Sequence, residues 1–188
     1  HIISSVLDDE PGNDLPPNLI NLKALISFPL PFYEKLIVKV PSLLSMIEAL
    51  QDYEPDEIYI SSPGVIGLYG LIYARLTGVK CMAVYHTDFT RQAVRIIGKD
   101  SPIIDVIEGY TRWFHEAADR ILVPTREYID ILSKRNFDKA KLGIFYRGID
   151  AAHFEPKQEG RDFLRSKVDC SDGINLVYVG RISRDKNI

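Results

Sequence analysis

The sequence has 188 residues, of which 46% are hydrophobic and 26% are charged, and its net charge is −3. This balance is typical of a soluble globular protein, and the acidic excess argues against non-specific nucleic-acid binding. Cys81 and Cys170 lie far apart in sequence, which favours free thiols over a metal site. The longest apolar run, residues 65–74, is about half of the ~20 residues that a membrane-spanning helix needs.

Predicted strands and helices alternate along the chain. Residues 1–7 and 19–28 are predicted as strands, and Pro-Leu-Pro at 29–31 is expected to lack regular structure. The other predicted strands are 57–61, 80–86, 121–124, 142–146 and 176–179, and the predicted helices are 42–53, 62–77, 102–118, 125–134 and 161–167. Strands separated by helices indicate a parallel sheet with right-handed crossovers, so we predict an α/β fold with a doubly wound sheet.

Two helices carry further predictions. The helix over 64–77 is apolar on nearly all sides and is therefore predicted to be buried, with Gly67 and Gly70 allowing close packing. Ser42 and Thr125 are predicted N-caps. Asp88 either orients His86 or caps the following helix, and capping is the favoured role. His115 is predicted to lie at the edge of its amphipathic helix.

Ligands of open α/β sheets bind beyond the carboxyl ends of the strands, where two early segments are expected. Ser62-Pro63-Gly64 opens a helix whose N–H groups favour an anion or hydroxyl, although a simple capped turn explains it equally well. His86-Thr87-Asp88 follows an apolar strand, and a histidine there either binds sugar hydroxyls or has a structural role.

A third segment, Gly180-Arg181 with Lys186, has the residue types of a phosphate site. Glycine permits a tight turn, arginine binds phosphate with a planar fork, and lysine adds a mobile charge. Taken alone, these cations are explained equally well as solvated surface charge.

Five segments in this order resemble the retaining glycosyltransferases of family 4, the group 1 glycosyl transferases of the GT-B fold. They are Ser62-Pro63-Gly64, Tyr85-His86-Thr87-Asp88, residues 118–125, Arg147-Gly148-Ile149-Asp150 with Phe154, and Val179-Gly180-Arg181 with Lys186. The resemblance implies two Rossmann-like domains facing each other across a cleft. The first domain mainly binds the acceptor, and the second mainly binds a nucleotide-sugar donor.

The resemblance also implies roles for individual residues. His86 would be the catalytic residue near the donor sugar, with Gly64, Thr87 and Asp88 lining the acceptor side of the cleft. Arg181 and Lys186, with Gly180, would bind the donor diphosphate. With two cations beside the leaving group, neither a metal nor a cofactor is expected.

The implied organisation is an acceptor-side domain over 1–148, an interdomain connection over 149–173, and the start of the donor-binding domain over 174–188. The family's first strand with its glycine-rich loop is not found, and its paired-glutamate motif would fall after residue 188. We therefore expect a fragment that transfers no sugar by itself. A nucleotide-sugar 2-epimerase of the same fold and a non-catalytic α/β ligand-binding domain stay open as alternatives.

The expected partners are a nucleotide-sugar donor and a glycan, small-molecule or lipid acceptor, with no nucleic acid. Residues 32–50 mix apolar side chains with Lys35 and Lys39, a pattern that fits contact with a membrane surface. An ordinary loop and core helix explain it equally well. The expected location is the cytoplasm. If residues 32–50 contact a membrane surface, the protein is also expected to bind peripherally at the inner membrane face.

Overall fold

The computed structural model describes residues 1–5, 16–30, 33–146, 148–155, 158–168, 176–180 and 182. They divide into two compact units, His1–Phe145 and Tyr146–Ile188. The strands of the first unit are β1 (Ile2–Ser4), β2 (Leu19–Asn21), β3 (Ala24–Leu30), β4 (Tyr33–Pro41), β5 (Glu57–Ile60), β6 (Lys80–Val84), β7 (Arg120–Val123) and β8 (Leu142–Ile144). Its helices are α1 (Leu43–Tyr53), α2 (Val65–Thr77), α3 (Phe89–Ile97), α4 (Ile103–Glu116) and α5 (Arg126–Lys134).

The centre of the first unit is a parallel sheet with the strand order β5-β6-β7-β8. Ala83 of β6 pairs with Ile60 of β5 on one side and with Ile121 of β7 on the other. Helices connect successive strands, as parallel pairing requires. The predicted α/β, Rossmann-like class is therefore confirmed.

The central strands β6 and β7 are buried on both faces because they carry nearly continuous apolar residues, whereas Tyr59 of β5 is 53% exposed. On one face, Ala83 and Cys81 pack with Leu71 of α2 and Phe114 of α4, and β7 packs against α5. The other face has its own apolar group, in which Phe145 packs against Met82, Val84 and Leu122. The connecting helices α2, α4 and α5 thus fix the ends of the strands in space.

Helix α2 is only partly buried: Leu71 packs in one core cluster and Tyr73 in another, but part of the helix faces water. Leu71 is 3% exposed, but Leu76 is 77% exposed and Ile72 is also exposed. The prediction of a helix buried all round was wrong for these two residues because composition does not show how many neighbours surround a helix. Gly67 does allow close packing, since an added Cβ would lie 2.0 Å from the carbonyl oxygen of Ser62. Gly70 is less crowded, with its nearest neighbour 3.7 Å from that position.

The predicted caps at Ser42 and Thr125 are confirmed. The Ser42 hydroxyl accepts a hydrogen bond from the N–H of Ser45, and the Thr125 hydroxyl accepts one from the N–H of Tyr128. Each bond satisfies an otherwise unpaired N–H group in the first turn of a helix.

The segment before α1 differs from the prediction. One strand was predicted over 19–28, whereas β2 and β3 are separate: β2 pairs parallel with β1, and β3 pairs antiparallel with β4. Pro29 was expected to prevent regular structure, but it lies within β3. A two-stranded ribbon tolerates proline because each strand has an edge where no N–H is needed.

The second unit contains α6 (Gln158–Lys167), which begins before the predicted start at 161. Residues 176–179 have no regular secondary structure, so the predicted last strand was wrong there. An apolar sequence favours a strand, but a strand also needs backbone pairing with a neighbour. The predicted assignment of 149–173 to a connection and of 174–188 to a second domain stays a prediction.

Candidate functional site

The carboxyl ends of β5 and β6 lie side by side because these strands are parallel neighbours. Ser62-Pro63-Gly64 follows β5, and His86-Thr87-Asp88 follows β6. The fold therefore brings two of the three predicted segments to the ends of adjacent strands, at the edge where open α/β sheets bind ligands.

The turn after β5 ends at Gly64, which is the N-cap of α2. Gly64 is extended and exposed, and no side chain caps the helix. Pro63 was expected within the first helical turn, but it precedes the cap because Gly64 does not have helical backbone angles. Tyr110 of α4 donates a hydrogen bond from its hydroxyl to the carbonyl oxygen of Pro63 (2.7 Å), which ties this turn to the helical layer.

Tyr85 lies between the end of β6 and His86 and is almost completely buried. Its ring is 5.0 Å from that of His115, 6.0 Å from Phe137 and 6.3 Å from Tyr128, measured between centroids. Burial raises the pKa of the Tyr85 hydroxyl, and the neighbouring Asp88 carboxylate raises it further. Tyr85 is thus a neutral aromatic anchor beneath the turn that carries His86.

His115 is buried, with 2% of its surface exposed, so its predicted place at the helix edge was wrong. Nδ1 lies 2.6 Å from the carbonyl oxygen of Thr111, which satisfies one ring nitrogen inside the apolar layer. Burial lowers the pKa of His115, and the hydrogen bond to Thr111 offsets only part of this effect. Electrostatic interaction with His86 also lowers the pKa of His115. His115 is therefore a neutral packing residue near His86.

His86 is exposed and Thr87 is half-buried, whereas the side chain of Asp88 is only 9% exposed. The Asp88 carboxylate accepts a hydrogen bond from the N–H of Arg91 (3.1 Å), so its predicted capping of a helix is confirmed for α3. Both carboxylate oxygens also accept hydrogen bonds from Arg135, each at 3.0 Å.

Asp88 and Arg135 each stabilise the charged form of the other. Burial by itself would raise the pKa of Asp88, but the hydrogen bonds from Arg135 and Arg91 lower it below its ordinary value. The hydrogen bond to Asp88 raises the pKa of Arg135. Both groups are therefore charged at neutral pH, and the pair is bidentate, which is the strongest geometry for arginine and a carboxylate.

The third predicted segment lies in the second unit. Gly180 is exposed, and a Cβ added there would lie 2.7 Å from the hydroxyl oxygen of Tyr178. Arg181 and Lys186 lie outside the described residues, and their predicted role in diphosphate binding stays a prediction. Within the part of the chain that the structure describes, no group of three or more His, Cys, Asp or Glu side chains is arranged to hold a metal ion.

The family model described as Glycosyltransferase Family 4 matches residues 1–153, which is most of the chain. The chain belongs to glycosyltransferase family 4. This family match confirms the resemblance that the ordered segments indicated.

Several curated relatives of this family 4 chain are similar to it over most of its length. A GDP-mannose-dependent alpha-mannosyltransferase of Mycobacterium tuberculosis is 29% identical, over 96% of this chain and 47% of the relative. Sulfoquinovosyl transferase SQD2 of Arabidopsis thaliana is 26% identical, over 86% and 32%. Alpha-monoglucosyldiacylglycerol synthase of Streptococcus pneumoniae is 31% identical, over 76% and 33%. The chain thus spans about a third to a half of the length of these relatives.

Sequence reasoning on this family 4 chain missed two residues of the site. Arg135 lies 47 residues after Asp88, and Tyr110 lies 47 residues after Pro63. The sequence patterns assigned neither Tyr110 nor Arg135 a role at the site. No local pattern marks either one, because each acts through a contact between distant elements.

Proposed function

We propose that this chain is the acceptor-side part of a retaining glycosyltransferase that moves a sugar from a nucleotide-diphosphate sugar to an acceptor hydroxyl. The observation that carries this proposal is the family 4 match over residues 1–153. An exposed histidine at the carboxyl end of β6, beside the turn after β5, supports it further. An imidazole there is accessible to a sugar, whereas His115 behind it is not.

The chemistry of glycosyl transfer defines what such a site must do. The transition state resembles an oxocarbenium ion that separates from a diphosphate, so the site needs fixed positive charge beside the leaving oxygens. In the proposal Arg181 and Lys186 supply this charge, and Gly180 lets the backbone come close to the phosphates. His86 binds the sugar near its reacting carbon. Losing Arg181 would then cost about 2–4 kcal/mol of transition-state stabilisation.

The first test uses the intact protein that contains this chain, with GDP-mannose and UDP-glucose as donors. GDP-mannose is chosen because a relative that covers 96% of this chain is named as GDP-mannose-dependent. We expect His86→Ala and Arg181→Ala each to lower the transfer rate about a hundredfold. The control is His153→Ala, which removes a histidine of the second unit. Near-normal transfer by His86→Ala or by Arg181→Ala would contradict the role proposed for that residue.

The same assay separates the alternatives. Release of a free 2-epimerised sugar without transfer would favour a nucleotide-sugar 2-epimerase. Binding of neither nucleotide diphosphate in calorimetry would favour a non-catalytic domain. We also expect the isolated 188 residues to transfer no sugar. Measurable transfer by them would overturn this last expectation.

For the acceptor we propose a lipid held at a membrane surface. One relative is named as a synthase of monoglucosyldiacylglycerol, which is a glycolipid. In this chain the β3–β4 ribbon carries exposed Ile26 and Phe28, which share one face with their cross-strand neighbours Val40 and Val38. Lys23, the residue before β3, is also exposed. Apolar side chains beside a cation are the combination that binds an anionic lipid surface.

Within the described residues no helix is both long enough and apolar enough to cross a bilayer. Contact through the ribbon would therefore be peripheral, and co-sedimentation with vesicles tests it. We expect binding to phosphatidylglycerol vesicles that falls about tenfold in the double variant Ile26→Ser, Phe28→Ser. Leu76→Ser, at another exposed apolar residue, is the control. Equal binding by all three proteins would remove the ribbon from the proposal and leave the transfer reaction untouched.

A further inference from the structure

We propose that Arg135 is a positioning residue, which holds the His86–Thr87 turn in place through its ion pair with Asp88. The inference rests on the proposed function of His86 in sugar transfer. It adds a residue that lies on another element of the fold, at the end of α5.

The turn is fixed at both flanks. On the N-terminal side Tyr85 is anchored in the aromatic cluster, and its N–H donates to the carbonyl oxygen of Leu122 (2.8 Å). On the C-terminal side Asp88 begins α3 and is held by Arg135. Only His86 and Thr87 lie between these anchors, so their backbone has little freedom.

The Asp88–Arg135 ion pair is sufficiently shielded from water to hold the His86–Thr87 turn. Side-chain exposure is 9% for Asp88 and 26% for Arg135, whereas the ion pairs Arg75–Asp119 and Lys80–Glu57 are much more exposed. An exposed ion pair contributes little, because water screens it and both side chains are mobile. A sheltered bidentate pair restricts both partners to one geometry. Removing Arg135 would leave the charged Asp88 carboxylate without its ion-pair partner, held through the Arg91 N–H.

The geometry of the Asp88–Arg135 pair depends on the planar, two-pronged guanidinium group of arginine. Two guanidinium nitrogens, Nη1 and Nη2, reach the two carboxylate oxygens separately. A lysine has one nitrogen and binds as a point charge, so it would preserve the attraction but not the orientation. Arg135→Lys is therefore expected to restore part of the effect, and Arg135→Gln none of it.

Amide hydrogen exchange, followed by NMR on the chain, tests the positioning directly. In Arg135→Gln we expect exchange at Phe89 and Arg91 to become about tenfold faster, because their N–H groups bond within the turn and its cap. Exchange at Leu68 of α2 should not change. Arg126→Gln, at the exposed start of the same helix, is the control. Unchanged exchange at the turn, or an equal acceleration everywhere, would overturn the proposal.

A double-mutant cycle with Asp88→Asn provides a second check. Asparagine keeps an oxygen for the Arg91 N–H but loses the charge that binds Arg135. If Arg135 acts through Asp88, then Arg135→Gln changes exchange at the turn little further in the Asp88→Asn background. Additive effects of the two substitutions would contradict the proposed route.

Transfer kinetics in the intact protein separate this inference from the proposed function. We expect Arg135→Gln to lower kcat by about tenfold to a hundredfold with little change in KM for the donor, and Arg135→Lys to recover part of kcat. Faster exchange at the turn together with normal kcat would support positioning by Arg135 and overturn the role of His86. Loss of kcat with unchanged exchange would overturn positioning and leave His86 in place.

Discussion

Tyr110 of α4 and Pro63 of the turn after β5 are joined by a hydrogen bond of 2.7 Å, although 47 residues separate them in sequence. Burial raises the pKa of the Tyr110 hydroxyl, so it stays protonated and able to donate at neutral pH. The turn beside His86 is therefore held from the helical layer, just as the His86 turn itself is held by Arg135.

Tyr110→Phe should remove this bond without disturbing the ring. We expect the free energy of unfolding to fall by about 1 kcal/mol, which is typical for one hydrogen bond, as measured by urea denaturation. Tyr59→Phe is the matched control, because its hydroxyl donates to Glu57 on the surface (3.1 Å) and its loss should change stability by less than about 0.5 kcal/mol. Equal effects of both substitutions would argue against a tie between Tyr110 and the turn.

Gly67 should tolerate no side chain. A Cβ there would lie 2.0 Å from the backbone oxygen of Ser62 and 2.7 Å from Cγ2 of Ile60, so Gly67→Ala should cost about 3 kcal/mol or more. Gly109 of α4 has no atom within 4 Å of that position, so Gly109→Ala should raise stability by about 0.5–1 kcal/mol. Thermal unfolding of both variants tests these two expectations. A Gly67→Ala protein as stable as the native chain would contradict the close packing of Gly67 against Ser62 and Ile60.

Two leucines of α2 should respond differently to the same substitution. Leu71 is 3% exposed and Leu76 is 77% exposed. Leu71→Ala should lower the free energy of unfolding by about 2–5 kcal/mol, because it leaves a cavity against the sheet. Leu76→Ala should change it by less than about 0.5 kcal/mol. Comparable losses in urea denaturation would mean that Leu76 is covered in solution.

Cys81 should make stability depend on pH in the alkaline range. Burial, and then the charge of Asp119, raises the pKa of the Cys81 thiol from 9.0 to about 11. The folded state therefore disfavours the thiolate, and its stability is full below pH 9 and falls as the pH rises towards about 11. The difference amounts to about 2–3 kcal/mol.

Denaturation of the native chain and of Cys81→Ala at several pH values checks this prediction. Other groups titrate in the same range, but they are common to both proteins, so the difference isolates Cys81. The native chain should lose more stability than the variant between pH 9 and 11. Parallel pH profiles would show that the thiol ionises as easily in the folded state as in the unfolded one.

The alternation of strands and helices, the caps at Ser42, Asp88 and Thr125, and the position of His86 after β6 follow from the sequence alone. Apolar periodicity and capping residues act over a few neighbours, so the chain itself records them. The ordered segments also led to family 4, although no single one is diagnostic. The segment His86-Thr87-Asp88 was itself recognised from its place between an apolar strand and a polar loop.

Only the tertiary structure decided that Asp88 is bound by Arg135, that His115 is buried, and that Leu76 on an apolar helix faces water. Each of these facts depends on which distant residues come together. Contacts across 47 residues leave no trace in local periodicity, because many folds are compatible with the same local pattern. The sequence therefore determined which residues stand at the ends of the strands, and packing decided which of them are held, buried or exposed.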